Sequence, residues 1–482
     1  MTEFMQPNLL PALPEIVMLA MACLVLVVDL FLPQERRGIT LLLTILALVL
    51  TAVTVIEVAP TDSVSSFGGS FILDQLAVTL KLATLLVVVL VFVYSRDYLI
   101  DNDIYKGEYY VLGLFATLGM MIMISAHSFL LIYLGLELLS LSLYAMIAFN
   151  RNSLSASESA MKYFVLGAMA SGLLLYGISI FYGISGTLDL NQLAAVASSK
   201  IEQYPIPMAF ALTFIVVGLA FKLGAVPFHM WLPDVYQGAP TSVTLFIGTA
   251  PKIAGFAMTM RLLVDGLGGL QLDWSQMLIA LSILSLAIGN IIAIAQTNFK
   301  RMLAYSTISH VGFILLGILS GTDNGFASAM FYTITYAITA SVAFGVLLLL
   351  SRKGAEAENI ADLSGLNDTS PWHAAMLAIA MFSMAGVPPT VGFYAKLSVL
   401  QSVVQVHLVW LAVFAVLFSV IGLFYYLRII KVMYFDKPGE DQVTTIQQAI
   451  DVRILLSANG LSLLGLGIFP SALMAYCILA FS

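Results

Sequence analysis

The chain has 482 residues, is 60% hydrophobic and only 10% charged, and carries a formal net charge of −7. Soluble domains hold about 25% charged residues, so this composition excludes one, and the lack of any basic block argues against a nucleic-acid partner. Cys23 and Cys477 are its two cysteines, and with no Cys-x-x-Cys or Cys/His cluster the sequence offers no iron–sulfur or zinc site of its own.

The opening segment, MTEFMQPNLLPALPEI, has no basic residue ahead of its apolar run and reads as a retained first helix rather than a cleaved signal. Apolar runs able to cross a membrane, about 20 residues each, lie near 12–32, 39–59, 73–94, 109–126, 128–149, 158–183 and 206–225. They continue near 241–263, 274–296, 302–320, 325–350, 371–400, 407–434 and 453–480. The prediction is an all-α polytopic membrane protein with about 14 transmembrane helices. Arg36, Arg37, Arg96, Lys106, Arg151, Lys300, Arg301, Arg352, Lys353 and Lys437 fall in alternate loops, with Lys200 the exception. The positive-inside rule makes those loops cytoplasmic and places both termini outside. The loop 352–370 is the longest polar stretch and sets off the last three spans. The glycine-rich DGLGGLQLDW (265–274) follows no strand and has no phosphate-loop pattern, so it reads as an outward turn.

Six charges sit at membrane depth: Lys81, Glu137, Lys162, Lys222, Lys252 and Lys396. An ionised residue at a helix centre costs about 2.5–3.5 kcal/mol on insertion scales, so this many point toward protein or water rather than lipid. Snorkelling to an interface suits Lys81, near the outer end of its helix, and in part Lys162, one turn after Glu158. It does not suit Glu137, Lys222 or Lys252, deep in their runs. Helical spacing puts Tyr133, Ser140 and Tyr144 on the face of Glu137, and Thr241, Thr249 and Thr259 on that of Lys252. Tyr332, Thr335, Tyr336 and Thr339 form a third stripe, and Ser306 with His310 a fourth. Any one stripe fits ordinary interhelical hydrogen bonding; their number, beside buried lysines, suits hydrated paths. Burial favours a neutral amine and a nearby carboxylate favours the ammonium, so a buried lysine can load and release a proton. Sodium requires several oxygen ligands, and Glu137 is the one carboxylate placed at mid-depth, so proton transfer fits this inventory better.

Two runs are interrupted. GLAFKLGAVPFHMWLPDVYQGAP (218–240) places Pro227 shortly after Lys222, and SMAGVPPTVGFYAKLSV places Pro388 and Pro389 shortly before Lys396. Interior prolines free helix carbonyls, which is tolerated at membrane depth only against protein or water. The breaks share an A/G-V-P text and fall in spans 7 and 12, five apart, an odd offset that inverts topology. The expected architecture is therefore two inverted five-helix repeats, 107–265 (spans 4–8) and 273–434 (spans 9–13). Spans 1–3 (1–106) precede them and a last helix (452–482) follows.

FKLGAVPFHMWLPDVYQGAP (221–240) resembles the signature of the antiporter-like membrane subunits of proton-pumping NADH:quinone oxidoreductase, respiratory complex I. AQTNFKRMLAYSTISHVGFILLG (295–317) resembles that family's second signature, and about fourteen spans match over essentially the whole length. LGLELLSL around Glu137, PDVYQGAP, and lysine at 396 are similar to the N type among three homologous subunits. The M type usually has a glutamate at the last position, and the L type is longer.

The resemblance implies a bacterial inner-membrane translocase subunit. It would couple NADH-to-quinone electron transfer to proton pumping beside the other membrane-arm subunits. It further implies no cofactor in this chain, with FMN and iron–sulfur clusters in other subunits. Glu137 would tune Lys222, Lys252 would relay protons along the axis, and Lys396 would be the terminal protonatable group. Lys162 matches an additional span-6 lysine of this type. His310 and His229 are gate or relay candidates, with a packed histidine and a loop cap as their equal alternatives. His127, His373 and His407 sit at span ends and are expected at the interface, and Lys300 and Arg301 are expected as topology charges. The alternative function is a subunit of a multi-subunit cation/proton antiporter of the same superfamily. A purely structural membrane scaffold is the third reading.

Overall fold

The computed structural model describes residues 8–200, 203–351, 356–437 and 449–481; Arg352 and Lys353, counted above among the inward charges, lie outside the described residues. A helical pair, α1 (Leu13–Asp29) and α2 (Gly38–Glu57), leads through a small antiparallel ribbon, β1 (Val64–Ser66) and β2 (Phe71–Leu73), into α3 (Gln75–Asp101). Next come α4 (Gly107–Ser125), α5 (Phe129–Ile147), α6 (Leu154–Ser185), the short α7 (Leu190–Lys200) and α8 (Pro205–Leu223). They are followed by α9 (Trp231–Gly238), α10 (Thr241–Gly248) and α11 (Ala250–Thr259), which runs on into a π-helical turn, Met260–Gly266. The second half holds α12 (Gln271–Ala295), α13 (Phe299–Leu319), α14 (Asp323–Leu350), α15 (Leu366–Thr369), α16 (Pro371–Ala385) and α17 (Val391–Gln405). It closes with α18 (Val409–Phe435), α19 (Ile450–Ile468) and α20 (Ser471–Leu479). The sequence did not announce the ribbon in the loop after α2.

Thirteen helical segments among the described residues are long and apolar enough to cross a membrane, so the chain is a multi-pass membrane protein. The remaining expected crossing, 371–400, is the pair α16 and α17 of 15 residues each. Fifteen residues rise about 22 Å, short of the roughly 30 Å hydrocarbon core, so the two halves serve as one crossing. Two further runs also prove interrupted. Thr249 leaves helical geometry (φ −122°, ψ −92°) ahead of Pro251, so the spacing that put Thr241, Thr249 and Thr259 on one face does not carry across it. The last crossing is divided between α19 and α20 ahead of Ser471, next to Pro470.

Side-chain oxygens set several helix starts by accepting an otherwise unpaired first-turn N–H. Asp74 caps α3, Ser128 caps α5, Asn298 caps α13 and Thr322 caps α14. The core is axial. The crossings Thr241–Gly266 and Phe299–Leu319 are wholly buried in their most apolar windows and Asp323–Leu350 nearly so, whereas α6, α18 and α19 bury a third or less. Helices apolar all round belong inside a bundle, and these inner ones carry Lys252, His310, Tyr332 and Tyr336.

Local geometry recurs along the chain. Ser128 bridges Asp189 and Asn298 bridges Asn359, and 298 − 128 and 359 − 189 are both 170. The same shift relates Phe129 N–H donating to Leu188 O with Phe299 N–H donating to Glu358 O. It also relates Gly119, where a Cβ would meet the Leu139 nitrogen at 2.7 Å, with Gly289, where it would meet the Ser309 nitrogen at 2.8 Å. Only glycine lets α4 pack this close to α5, and α12 to α13. At the breaks, α8 and α16 end on Gly224 and Gly386, both left-handed at φ +85°. Each glycine N–H reaches back to the same two carbonyls, Ala220 and Phe221 in one and Phe382 and Ser383 in the other. These are αL helix endings that glycine adopts without strain.

Candidate functional site

Where α8 stops, its last carbonyls lose their helical partners, and a buried carbonyl must find another donor. Trp231 Nε1 donates to Phe221 O at 2.9 Å and Lys252 Nζ to Leu223 O at 3.0 Å. Lys252 also lies over the Trp231 ring, 5.6 Å from its centroid. Beyond the break, Val226 N–H is taken by Ser285 Oγ at 3.0 Å. Lys222, one turn before the break, donates to Ser140 Oγ on α5 at 2.9 Å. A small cavity beside it is lined by Ser140, Tyr144, Tyr163 and Lys222. Glu137, one turn from Ser140, lies within electrostatic reach of Lys222 and Tyr133. It forms no ion pair with Lys222, and its buried Oε1 has no hydrogen-bond partner. The expected Glu137–Lys222 couple is thus neighbouring but open, with Ser140 in between.

At the second break Lys396 Nζ, from α17, reaches back over the gap. It donates to Ala385 O and to Ser419 Oγ, both at 2.9 Å, and sits 5.1 Å from the Phe313 ring centroid. Next to it, His310 Nδ1 shares a hydrogen bond with Tyr332 OH at 2.6 Å and Nε2 one with Tyr426 OH at 3.0 Å. Tyr426 OH continues to Ser306 Oγ at 2.5 Å, and Thr307 Oγ1 meets Tyr336 OH at 2.7 Å. A second small cavity is lined by His310, Tyr332, Thr339, Ser383 and Met384. His310 is therefore both buried and fully bonded at its ring.

Leu223 and Ala385 each precede the left-handed glycine, so the lysines that correspond are Lys252 and Lys396, not Lys222 and Lys396 as the shared A/G-V-P text suggested. That text is also out of step by one residue: Pro227 is three residues after Gly224, and the residue three after Gly386 is Pro389. Lys222 falls opposite Met384 (384 − 222 equals 386 − 224), and Ser140 opposite His310 by the 170-residue shift.

Several expectations change. Lys162 is half-exposed, paired with Glu158 and Asp234 at 2.9 Å each. Asp234 also holds Arg301 at 2.8 Å, so Lys162 belongs to a rim network. His229 sits in the turn between α8 and α9, half-buried, edge-on to Tyr305 and with Nδ1 unbonded; its carbonyl accepts Leu232 N–H, the loop-cap alternative. Lys81 does not snorkel. It is fully buried and ion-paired at 2.6 Å with Glu15 in the first turn of α1. Lys300 is more than a topology charge: it is buried against Glu356 at 3.0 Å and Glu358 at 2.8 Å. Tyr98 and Thr241 also bond Glu356. His127, expected at the interface, is buried, as is His373.

Arg261, a further charge within the run 241–263, is buried against Asp74 and Asp265; its position in an apolar run is the signal that marks it. Tyr426 and Ser419 carried no such signal, because nothing in one sequence says that α18 lies beside α13 and α17. Among the described residues no group of three His, Cys, Asp or Glu is placed to hold a metal.

Residues 126–422 match the family described as NADH:quinone oxidoreductase/Mrp antiporter, transmembrane. The chain is 61% identical over 469 residues, 97% of each sequence, to the NADH-quinone oxidoreductase subunit N of Thioalkalivibrio sulfidiphilus (strain HL-EbGR7). Among solved structures it is similar to a chain of respiratory complex I from Thermus thermophilus with bound aureothin. That match has 30% identity and a TM-score of 0.82, covering 96% of this chain and 98% of that one. It is also similar to a chain of an archaeal membrane-bound sulfane sulfur reductase complex, at 25% identity and TM-score 0.86, covering 98% and 97%.

Proposed function

The chain belongs to the NADH:quinone oxidoreductase/Mrp antiporter transmembrane family, and from that premise we propose that it carries protons across the membrane as the N-type subunit of an NADH:quinone oxidoreductase. The observation that carries the proposal is the pair of broken helices whose freed carbonyls, Leu223 and Ala385, each hold a lysine, buried at Lys252 and half-buried at Lys396. Lys222 stands beside the first. Electron transfer and its FMN and iron–sulfur groups belong to other subunits; this chain's part is to hold and move protons. Lys222, Lys252 and Lys396 are the proton-carrying groups, Glu137 is the carboxylate that biases Lys222, and His310 is the relay between Tyr332 and Tyr426.

Two ammonium groups at one break repel each other strongly at low dielectric. Bringing Glu137 toward Lys222 favours its ammonium, and drawing it away favours transfer onward to Lys252. Ser140, already bonded to Lys222, is the natural hydroxyl bridge. Lys162 and His229 take supporting places: Lys162 steadies the rim with Asp234, and His229 caps the turn after the break.

Residues 107–265 and 273–434 are two inverted copies of one five-helix unit, flanked by 1–106 and 452–482; the 170-residue recurrence of bonds supports this. Both termini face outward from a bacterial inner membrane, a reading supported by the alternation of basic loops.

Co-purification tests the assignment. Recovery with NADH-oxidising subunits, and NADH-driven proton movement without added sodium, is the expected result. Sodium-dependent pH changes in vesicles lacking any NADH-oxidising partner would overturn it in favour of the cation/proton antiporter.

A further inference from the structure

In each five-helix unit an arginine from the last crossing caps the end of the first. Arg261, on the π-helical turn that extends α11, donates from Nε to Ile124 O at 3.1 Å, where α4 ends. Arg428, on α18, donates from Nη1 to Ile294 O at 2.9 Å and from Nη2 to Gln296 O at 2.7 Å, where α12 ends. The last carbonyls of a helix have no intrahelical donor, and a cation suits the negative end of the helix dipole. Ile124 and Ile294 are 170 residues apart, the same shift that relates the two units.

The charges around the two arginines differ. Arg261 is buried and held by Asp74 from α3 at 2.8 Å and by Asp265 at 2.9 Å. Arg428 is half-buried and pairs with no carboxylate among the described residues. Its guanidinium does not lose its charge. Nη1 and Nη2 carry two hydrogens each and give one each to α12, so each keeps a free N–H. Lys431, one turn further on and 69% exposed, adds positive charge, as does exposed Lys437; Asp436, 3.7 Å from Lys431, offsets one of these cations.

The surface leading to this cluster is apolar. Leu417, Val420, Phe424 and Leu427 are exposed along one face of α18, and Lys431 continues the same row one turn later. Exposed Ile291 flanks it on α12, which packs against α18. From Leu417 to Leu427 the helix rises about 15 Å, half of the roughly 30 Å hydrocarbon core. Seams between membrane helices gather Gly, Ala, Ser and Thr, and this row holds none of them. An acyl chain requires only an apolar strip one leaflet long.

We propose that Arg428 and Lys431 form the headgroup site of an anionic phospholipid, whose acyl chain lies along Leu427, Phe424, Val420 and Leu417. The phosphate oxygens accept the free N–H groups of Arg428, the pairing for which a guanidinium is shaped. A zwitterionic lipid brings its own cation, which Lys431 and Lys437 repel. The lipid thus supplies Arg428 with the negative charge that Asp74 and Asp265 supply to Arg261. In the orientation proposed above the site belongs to the inner leaflet. It stands on the paired arginines and the exposed row, independently of the proton path.

The test uses the assembled complex in phosphatidylcholine vesicles carrying a trace of phosphatidylglycerol with a photoreactive diazirine in its acyl chain. Photolysis should label the α18 row several-fold more than a phosphatidylcholine probe with the same chain does. Arg428→Gln should abolish that preference. Equal labelling by the two probes, or an undiminished preference in Arg428→Gln, would overturn the proposal. If Arg428→Gln does not assemble, Lys431→Gln, which touches neither α12 carbonyl, must lower the preference several-fold; no change there overturns the proposal equally. The lipid assignment also falls if neither probe labels α18 while a photoreactive side chain in place of Leu427 cross-links to another subunit, since a protein carboxylate would then be the anion. Proton translocation is not read, so a failure here leaves the role of Lys222 standing.

Discussion

Leu223 and Ala385 hold matched places, each the last residue before a left-handed glycine and each accepting a lysine through its carbonyl. Around that shared backbone the side chains diverge. The first break gathers Lys222, Lys252 and Glu137, with the hydroxyl of Ser140 between. The second holds Lys396 alone, beside a neutral chain of Ser306, Tyr426, His310 and Tyr332. Ser140 and His310 occupy the same register, as do Lys222 and Met384. The comparison teaches that the constant part is geometric, a freed carbonyl accepting from a lysine Nζ. In the proposed path, the variable part sets whether a proton is held by charge or passed along hydroxyl and imidazole groups.

The sharpest way to break the comparison is to remove the matched lysines. Lys252→Ala and Lys396→Ala should each reduce NADH-driven proton translocation in vesicles by roughly tenfold or more, since a positioned proton-transfer group contributes about 10²–10⁴. A large loss in one with none in the other would undo the equivalence. Glu137→Gln should cost less, several-fold in pumping rate, because Lys222 keeps its bond to Ser140 while losing its charge partner. Tyr426→Phe leaves His310 Nε2 and Ser306 without their shared hydroxyl. Orphaning a buried polar group costs about 1–3 kcal/mol, read as a lower unfolding temperature with slower pumping; the same change at Tyr394, which packs edge-on against Phe331, should do neither.

The smallest effect belongs to the rim, outside both breaks. Burial works against the Glu356 charge, but Lys300 and hydrogen bonds from Tyr98 and Thr241 outweigh it and hold its carboxyl below the usual range. A lowered folded-state value means stability that is present above the unfolded value, about 4.3, and is lost as pH falls through the folded one. Acid melting of the detergent-purified complex should therefore begin at higher pH in Glu356→Gln, and identical acid profiles would remove the pair from the account.

Much of this was legible from residues whose cost in a membrane is large. Lys222, Pro227, Pro388 and Pro389 announce two broken helices because lipid tolerates neither charge nor free carbonyls. The alternation of arginines and lysines between loops proposes an orientation for the same reason. What stayed hidden was pairing across the bundle. Glu15 and Lys81 neutralise each other from α1 and α3, and Tyr426 completes the His310 chain from α18, contacts that no helical spacing within one run reveals. The register error at the breaks has a simpler cause. Matching the Val-Pro letters aligned side chains, whereas the helix endings are fixed by Gly224 and Gly386, whose left-handed geometry sets where the carbonyls open.

The central claim is that protons cross this chain through Lys222 and its neighbours at the first break. Its most direct test is the number of protons translocated per NADH oxidised by the assembled complex carrying Lys222→Ala, in sealed vesicles. The account predicts a clear fall in that ratio with the subunits still co-purifying. An unchanged ratio at normal NADH turnover would contradict it.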